Sequence, residues 1–364
     1  MPLIIDSHQD LAWNMLTYGR DYTRSVEETR RLEAGTITPE LIGDSIVGWP
    51  EYQRGQVAVV FATLYATPVR KKMAGDVVVY PDYETAHRLY REQILLYHEL
   101  TDSHPDKFRL ISSKTELDSV IEHWSRPAQD REGHPVGLVY LMEGADGIRS
   151  PGELAEWWDM GLRMIGLAWA GTRYCGGTGD PGPLTEEGRQ LISTMADFNF
   201  MLDLSHMDEA AALESLDRYA GPVMATHANC AALMQGAETN RHLPDRVIRG
   251  LIERQGVIGV IPLNTFLKVG WLRKNGSRRE DVPLDVLIAH IDHICQLAGD
   301  ANHAAIGSDF DGGFGLQSIP PELDSIADLQ MIASRLIARG YSESDAAKVL
   351  GGNWLRFLQE HLPA

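Results

Sequence analysis

Ile5-Asp6-Ser7-His8-Gln9-Asp10 opens the chain with a short apolar run that feeds directly into a His-x-Asp pair. Side chains two apart on an extended strand point to the same side, so His8 and Asp10 converge at a strand's end. An imidazole nitrogen and a carboxylate oxygen aimed at one point make half a zinc site. Taken alone, His8 would line a core edge and Asp10 would start a turn. The same design recurs, however, at V-G-L-V-Y-L-M-E ending in Glu143, F-M-L-D-L-S-H ending in His206, P-V-M-A-T-H ending in His227, and A-A-I-G-S-D-F-D-G with Asp309.

Beyond these stretches, short apolar runs alternate with segments of helical period, the pattern of a parallel sheet with helical crossovers. The strand candidates are residues 3–8, 56–65, 136–143, 164–170, 200–206, 223–227, 257–263 and 304–309. Helices are expected over 83–100, 115–125, 151–160, 185–198, 208–219, 245–255 and 283–297, with two closing helices over 322–339 and 343–361. Eight alternations without an internal break predict an α/β fold, a (β/α)8 TIM barrel, whose strand ends meet at one mouth. An open doubly wound sheet is the fallback. The 364 residues suit one barrel domain spanning 1–364, with an insertion after the first strand and extra C-terminal helices.

A net charge of −18 argues against a nucleic-acid partner, which needs a basic face, and suits cation binding. Cys175, Cys230 and Cys295 are widely spread and form no C-x-x-C pair, so neither a disulfide framework nor a thiolate zinc site is indicated. The N-terminus lacks a basic segment and a long apolar stretch, and the C-terminus is amphipathic. The expectation is a cytoplasmic protein without a membrane partner, with homodimerisation left open.

Other stretches carry less. Residues 17–55, of mixed charge, are expected to form a helical excursion over the mouth. The Gly-rich run Cys175–Pro183 lacks the Lys-Ser/Thr ending of a phosphate loop and is expected to be a flexible βα loop. His290 and His293 have ligand-like spacing but are expected on a solvated helix face, and His87, His98, His104, His123, His134, His242, His303 and His361 are read as surface residues.

His8, Asp10, Glu143, His206, His227 and Asp309 supply three imidazoles and three carboxylates at five of the eight strand ends. One catalytic zinc takes three protein ligands and a water, so this surplus points to two metals sharing a bridging carboxylate and a bridging hydroxide, with Glu143 the natural bridge.

At these residues the chain resembles the membrane (renal) dipeptidase family, peptidase family M19, among the amidohydrolase-like metal-dependent hydrolases. The motifs I-D-S-H-Q-D-L-A-W, L-M-E-G-A-D, L-D-L-S-H, A-T-H-A-N, R-H-L-P-D and I-G-S-D-F-D-G run in family order over nearly the whole chain. The resemblance implies the barrel fold and two Zn2+ per chain, His8 and Asp10 on one, His206 and His227 on the other, and Glu143 bridging. It further implies that Asp309 handles protons near the metals and that Arg241 receives the substrate's terminal carboxylate. Asp311, which could also face the mouth, has no such role by resemblance.

One departure stands out: where renal-type members carry T-L-T-H, with a His that helps bind the scissile carbonyl, this chain has G-L-A-W and places Trp169 at the fourth strand end. An indole donates one N–H and cannot ligate a metal, which puts the substrate range rather than the metal centre in question. The expected function is a zinc-dependent dipeptidase acting on dipeptides, with D-residues at the C-terminal position tolerated by resemblance. Two rivals are a two-metal barrel hydrolase of another amide or a lactone, and a non-catalytic metal-loaded binding protein.

Overall fold

The computed structural model describes residues 1–126 and 133–364. Eight strands are β1 (Ile4–Gln9), β2 (Val57–Tyr65), β3 (Val136–Glu143), β4 (Leu162–Gly166), β5 (Met201–Asp203), β6 (Val223–Met224), β7 (Ile258–Val260) and β8 (Ala304–Ile306). They pair in the order β6-β5-β4-β3-β2-β1-β8-β7, always in parallel. A parallel bridge from Ala225 to Ile258 brings the two ends of that order together. The arrangement is the nearly closed α/β barrel that the alternation predicts, and not the open sheet. Every residue of β1, β2 and β3 is buried, which is why these strands read as nearly continuous apolar runs. A short strand, Phe108–Leu110, pairs with the start of β3 and was not anticipated.

The later strands are shorter than their apolar runs. Residues 200–206, 223–227 and 304–309 shrink to three, two and three ladder residues. Side-chain carboxylates take over where the ladder stops: Asp203 accepts from the Ser205 and Thr226 amides at 2.9 and 2.8 Å, and Asp6 accepts from the Ser308 amide at 2.6 Å. These bonds satisfy buried N–H groups while freeing the backbone to bend. His206 and Asp309, each three residues past its strand, then adopt left-handed φ values of 64° and 56°. Such values are uncommon outside glycine and tend to gather at functional sites.

Beneath the mouth the barrel closes tightly around Ser7, whose hydroxyl donates to the carbonyls of Thr226 and Ile306 at 2.5 and 2.9 Å. A Cβ on Gly259 or Gly307 would lie 2.0 or 1.9 Å from the Thr226 carbonyl oxygen, so neither position has room for a side chain.

The segment over residues 17–55 is helical, as expected, with helices at Val26–Glu33, Thr38–Leu41 and Trp49–Gly55. It locks onto the chain after β8, through Arg20 to Asp311 at 3.0 Å and Arg30 to Asp324 at 3.1 Å, and contributes no residue to the lining of the cavity at the mouth. Several histidines read as surface residues are buried: His87, His134, His242, His290 and His303. His290 shares a helix face with Leu287, Ile291 and Ile294, and its Nδ1 accepts from the Cys230 amide at 3.1 Å. His303 Nδ1 lies 2.8 Å from the Gly256 carbonyl. Imidazole is apolar enough to pack and polar enough to satisfy one backbone group, which defeats a rule based on residue type. No helix among the described residues is long and apolar enough to cross a membrane.

Candidate metal centre

One cavity of about 250 Å3 at the C-terminal mouth is lined by Asp10, Glu143, Trp169, His206, His227, Arg241 and Asp309, among others. His8 lies just beneath, fully buried. All eight residues singled out in the sequence therefore meet at one place, delivered by β1, β3 and the turns after β1, β4, β5, β6 and β8.

Glu143, the last residue of β3, sits at the centre. Its Oε1 lies 3.1 Å from His206 Nε2 and 3.2 Å from His227 Nε2, while its Oε2 faces His8 Nε2 at 3.7 Å. One carboxylate oxygen thus turns to each half of the cluster. Asp10 and Asp309 reach His8 Nε2 at 3.8 and 3.9 Å. Two groups, His8 with Glu143 and His227, and His8 with Asp10 and Asp309, each bring three donor atoms within 4.8 Å of one another.

Neighbouring groups fix the imidazoles. His227 Nδ1 lies 3.0 Å from Thr226 Oγ1, and that hydroxyl donates to Asp203 at 2.5 Å. A hydroxyl whose proton is spent on a carboxylate must accept from the ring, so His227 carries its proton on Nδ1 and turns a lone pair outward on Nε2. His206 Nδ1 is held by Thr178 Oγ1 at 2.9 Å. The two Nε2 atoms then stand 3.0 Å apart beside the Glu143 carboxylate.

The electrostatics follow from this crowding. Burial drives the imidazoles down, His8 to about 3 and His206 and His227 well below their ordinary value. Burial first, then mutual repulsion, holds Glu143 and Asp309 well above the usual carboxylate range, and burial lifts Asp10 to about 7. Both ring nitrogens of His8 and Oδ1 of Asp10 are buried without a hydrogen-bond partner. Unpaired lone pairs and compressed carboxylates are costly in a protein interior unless cations compensate them. The donor set, imidazole with carboxylate and no thiolate, fits divalent cations such as zinc.

Arg241 is buried, donates from Nη2 to the His227 carbonyl at 2.6 Å, and keeps Nε and Nη1 without a partner. Trp169 lies beyond β4, half-buried, with its ring 5.2 Å from Tyr65 and 6.3 Å from His206. Asp311 does not face the mouth. It is buried against Arg20 at 3.0 Å and accepts from Tyr22, Ser45 and the Ile46 amide, so it anchors the excursion. The run Cys175–Pro183 is likewise no free loop: Cys175–Gly177 pairs antiparallel with Asp180–Leu184, and Thr178 at the turn is the group that holds His206. Sequence reading missed Asp203, Thr226 and Thr178. A polar residue inside an apolar run, as in L-D-L-S-H, was the available signal for Asp203.

A model of the family described as membrane dipeptidase, peptidase family M19, matches residues 1–362. An uncharacterised protein encoded in the pqqA 5′ region of Klebsiella pneumoniae is 34% identical over 239 residues, 63% of this chain and 83% of that protein. Dipeptidase tcpJ of Claviceps purpurea is 27% identical over 233 residues, 62% of this chain, and the match spans about half, 51%, of that protein. Among solved structures, a metallopeptidase from Rhodobacter sphaeroides, liganded with a phosphinate mimic of the dipeptide L-Ala-D-Ala, superposes with a TM-score of 0.76 at 22% identity, covering 99% of both chains.

Proposed function

Since the chain belongs to the membrane dipeptidase family, peptidase family M19, a family of metal-dependent dipeptide hydrolases, we propose that it is a two-zinc dipeptidase that accepts L,D- as well as L,L-dipeptides. The observation that carries this reading is Glu143, whose two oxygens face separate halves of a donor cluster too rich for one cation. His8 and Asp10 would hold one zinc, His206 and His227 the other, and Glu143 would bridge them. A zinc pair bound there supplies Lewis acidity for the scissile carbonyl and brings the pKa of water close to neutrality.

The chain's own groups do the rest. Asp309, beside the cluster, takes the proton of the attacking water and returns it to the leaving amine. Its left-handed backbone holds the carboxylate over the mouth and not along the strand. Arg241, with Nη2 on the His227 carbonyl, keeps Nε–H and Nη1–H on opposite edges of its guanidinium, and either one, with the remaining Nη2–H, would meet the substrate's C-terminal carboxylate. That contact sets a length limit, since a longer peptide would have no carboxylate there. Thr226 and Thr178 hold the imidazoles with Nε2 inward. Trp169, where renal-type members present a histidine, shapes the carbonyl pocket with an indole N–H as its polar group.

Trp169 also favours a second reading, hydrolysis of an N-acyl amino acid or a lactone by the same centre. Zinc-loaded protein assayed on L,L- and L,D-dipeptides beside N-acyl amino acids and lactones separates the two. Dipeptides turned over fastest is the expected result; preference for a lactone or acyl amino acid would replace the dipeptidase assignment.

A further inference from the structure

Four carboxylates line the mouth cavity: Asp10, Glu143, Asp309 and Asp76. Three belong to the cluster around Glu143. Asp76 does not, yet it is only 4% exposed. Its Oδ2 accepts from the Met73 amide at 2.9 Å, and no cationic side chain pairs with it among the described residues. Lys71, the ammonium on the same wall, is engaged by Asp180 at 2.9 Å. A buried carboxylate with a single neutral donor remains short of compensation.

Its position gives that charge a use. Asp76 lies on the loop after β2, and Arg241 on the loop after β6. In an eight-strand cycle β2 and β6 are diametrically opposed, and the loops after them bring both Asp76 and Arg241 to the lining of the cavity that holds Glu143. A dipeptide is a zwitterion whose peptide bond lies between its charges. With its carboxylate on Arg241 and its carbonyl over the cluster, its N-terminal residue points toward Asp76, Tyr65 and Trp13, all of which line the cavity.

We propose that Asp76 is a specificity residue that receives an ammonium group carried by the substrate's N-terminal residue. This rests on the dipeptidase reading above. The ammonium has two sources, the α-amine, present in every dipeptide, and the side chain of a basic N-terminal residue. Two residues of extended chain reach roughly 7 Å, and a lysine side chain extends that reach further.

The test compares kcat/KM for matched pairs in zinc-loaded wild type and Asp76→Asn, which preserves an oxygen for the Met73 amide. Ala-Ala against propionyl-Ala removes only the α-ammonium; Lys-Ala against norleucyl-Ala removes only the side-chain charge. Loss of a charged hydrogen bond predicts a wild-type ratio of about tenfold or more in at least one pair, expressed mainly in KM, and collapse of that ratio toward one in the variant. Collapse in the first pair identifies the α-amine, and collapse in the second identifies the side chain. Asp76→Ser, which also offers Met73 an acceptor, takes the place of the Asn variant if melting shows that the latter does not fold. Wild-type ratios near one in both pairs, or ratios the substitution leaves intact, overturn the proposal in an enzyme that still cleaves dipeptides. Wild type inactive on every dipeptide fails the functional reading itself, a separate result.

Discussion

Asp309 and Asp311 are two residues apart, both carry left-handed backbone, and both are acidic, yet they should fail in opposite ways when changed to asparagine. Asp309 touches the cluster, 3.9 Å from His8 Nε2, and burial with repulsion from Asp10 already raises its pKa in the metal-free state. Asp309→Asn removes one of these crowded charges, so the metal-free protein should be no less stable than wild type. With its proton acceptor gone, kcat should fall about 10²- to 10⁴-fold. Asp311, in contrast, pairs with Arg20, whose side chain is 1% exposed, and collects three further hydrogen bonds. Breaking a buried pair costs about 3–5 kcal/mol. Because Arg20 keeps Glu33 at 2.8 Å, the lower end, about 3 kcal/mol, is expected for Asp311→Asn. The assay is urea denaturation of both variants beside kcat and bound zinc per folded chain. An Asp309 variant that loses a zinc would make Asp309 a ligand, as its grouping with His8 and Asp10 allows, and would end the proton-transfer assignment. An Asp311 variant as stable as wild type but inactive would refute the separation of roles.

Other expectations follow from the same geometry. Thr226→Val severs the link from Asp203 to His227 Nδ1 and should weaken zinc affinity about 10- to 100-fold, read by competition with a chromogenic chelator; unchanged affinity would mean the tautomer is fixed otherwise. Trp169→His should change relative rates among dipeptides while leaving zinc content intact, and a lost zinc or an unaltered substrate profile would count against a role in the carbonyl pocket. In the metal-free protein the buried imidazoles, held low, cost stability as pH falls, while the raised carboxylates cost it as pH climbs. Asp10 is raised to about 7, so its favourable contribution is complete below the ordinary carboxylate value near 4 and is lost as pH climbs through 7. In EDTA, Asp10→Asn should therefore gain Tm over wild type more at pH 8 than at pH 5; a gain that does not grow with pH would contradict this.

The barrel was legible because β1, β2 and β3 are buried on both faces and so appear as uninterrupted apolar runs, and because crossover helices carry a clear period, as at Leu284–Ala298. Strand ends were overextended where Asp203 and Asp6 replace ladder bonds, since composition does not mark a side chain that accepts from a backbone amide. The ligand types were readable as polar residues closing apolar runs. The groups that orient them were not: Thr178 reaches His206 across 28 residues, and Asp203 reaches Thr226 across 23. Asp311 looked like a second mouth residue from its two-residue spacing, but the chain after Ile306 has left the strand and alternation no longer governs where it points. His290 could have been read correctly, because 287, 290, 291 and 294 already share one helical stripe.

Titration of metal-free protein with zinc, following hydrolysis of Ala-Ala and bound metal together, decides whether one metal or two carries the reaction. Binding should saturate at two zinc ions per chain, with turnover reaching its full value only as the second site fills. Saturation at one zinc with full activity would contradict it and would remove the bridging role of Glu143.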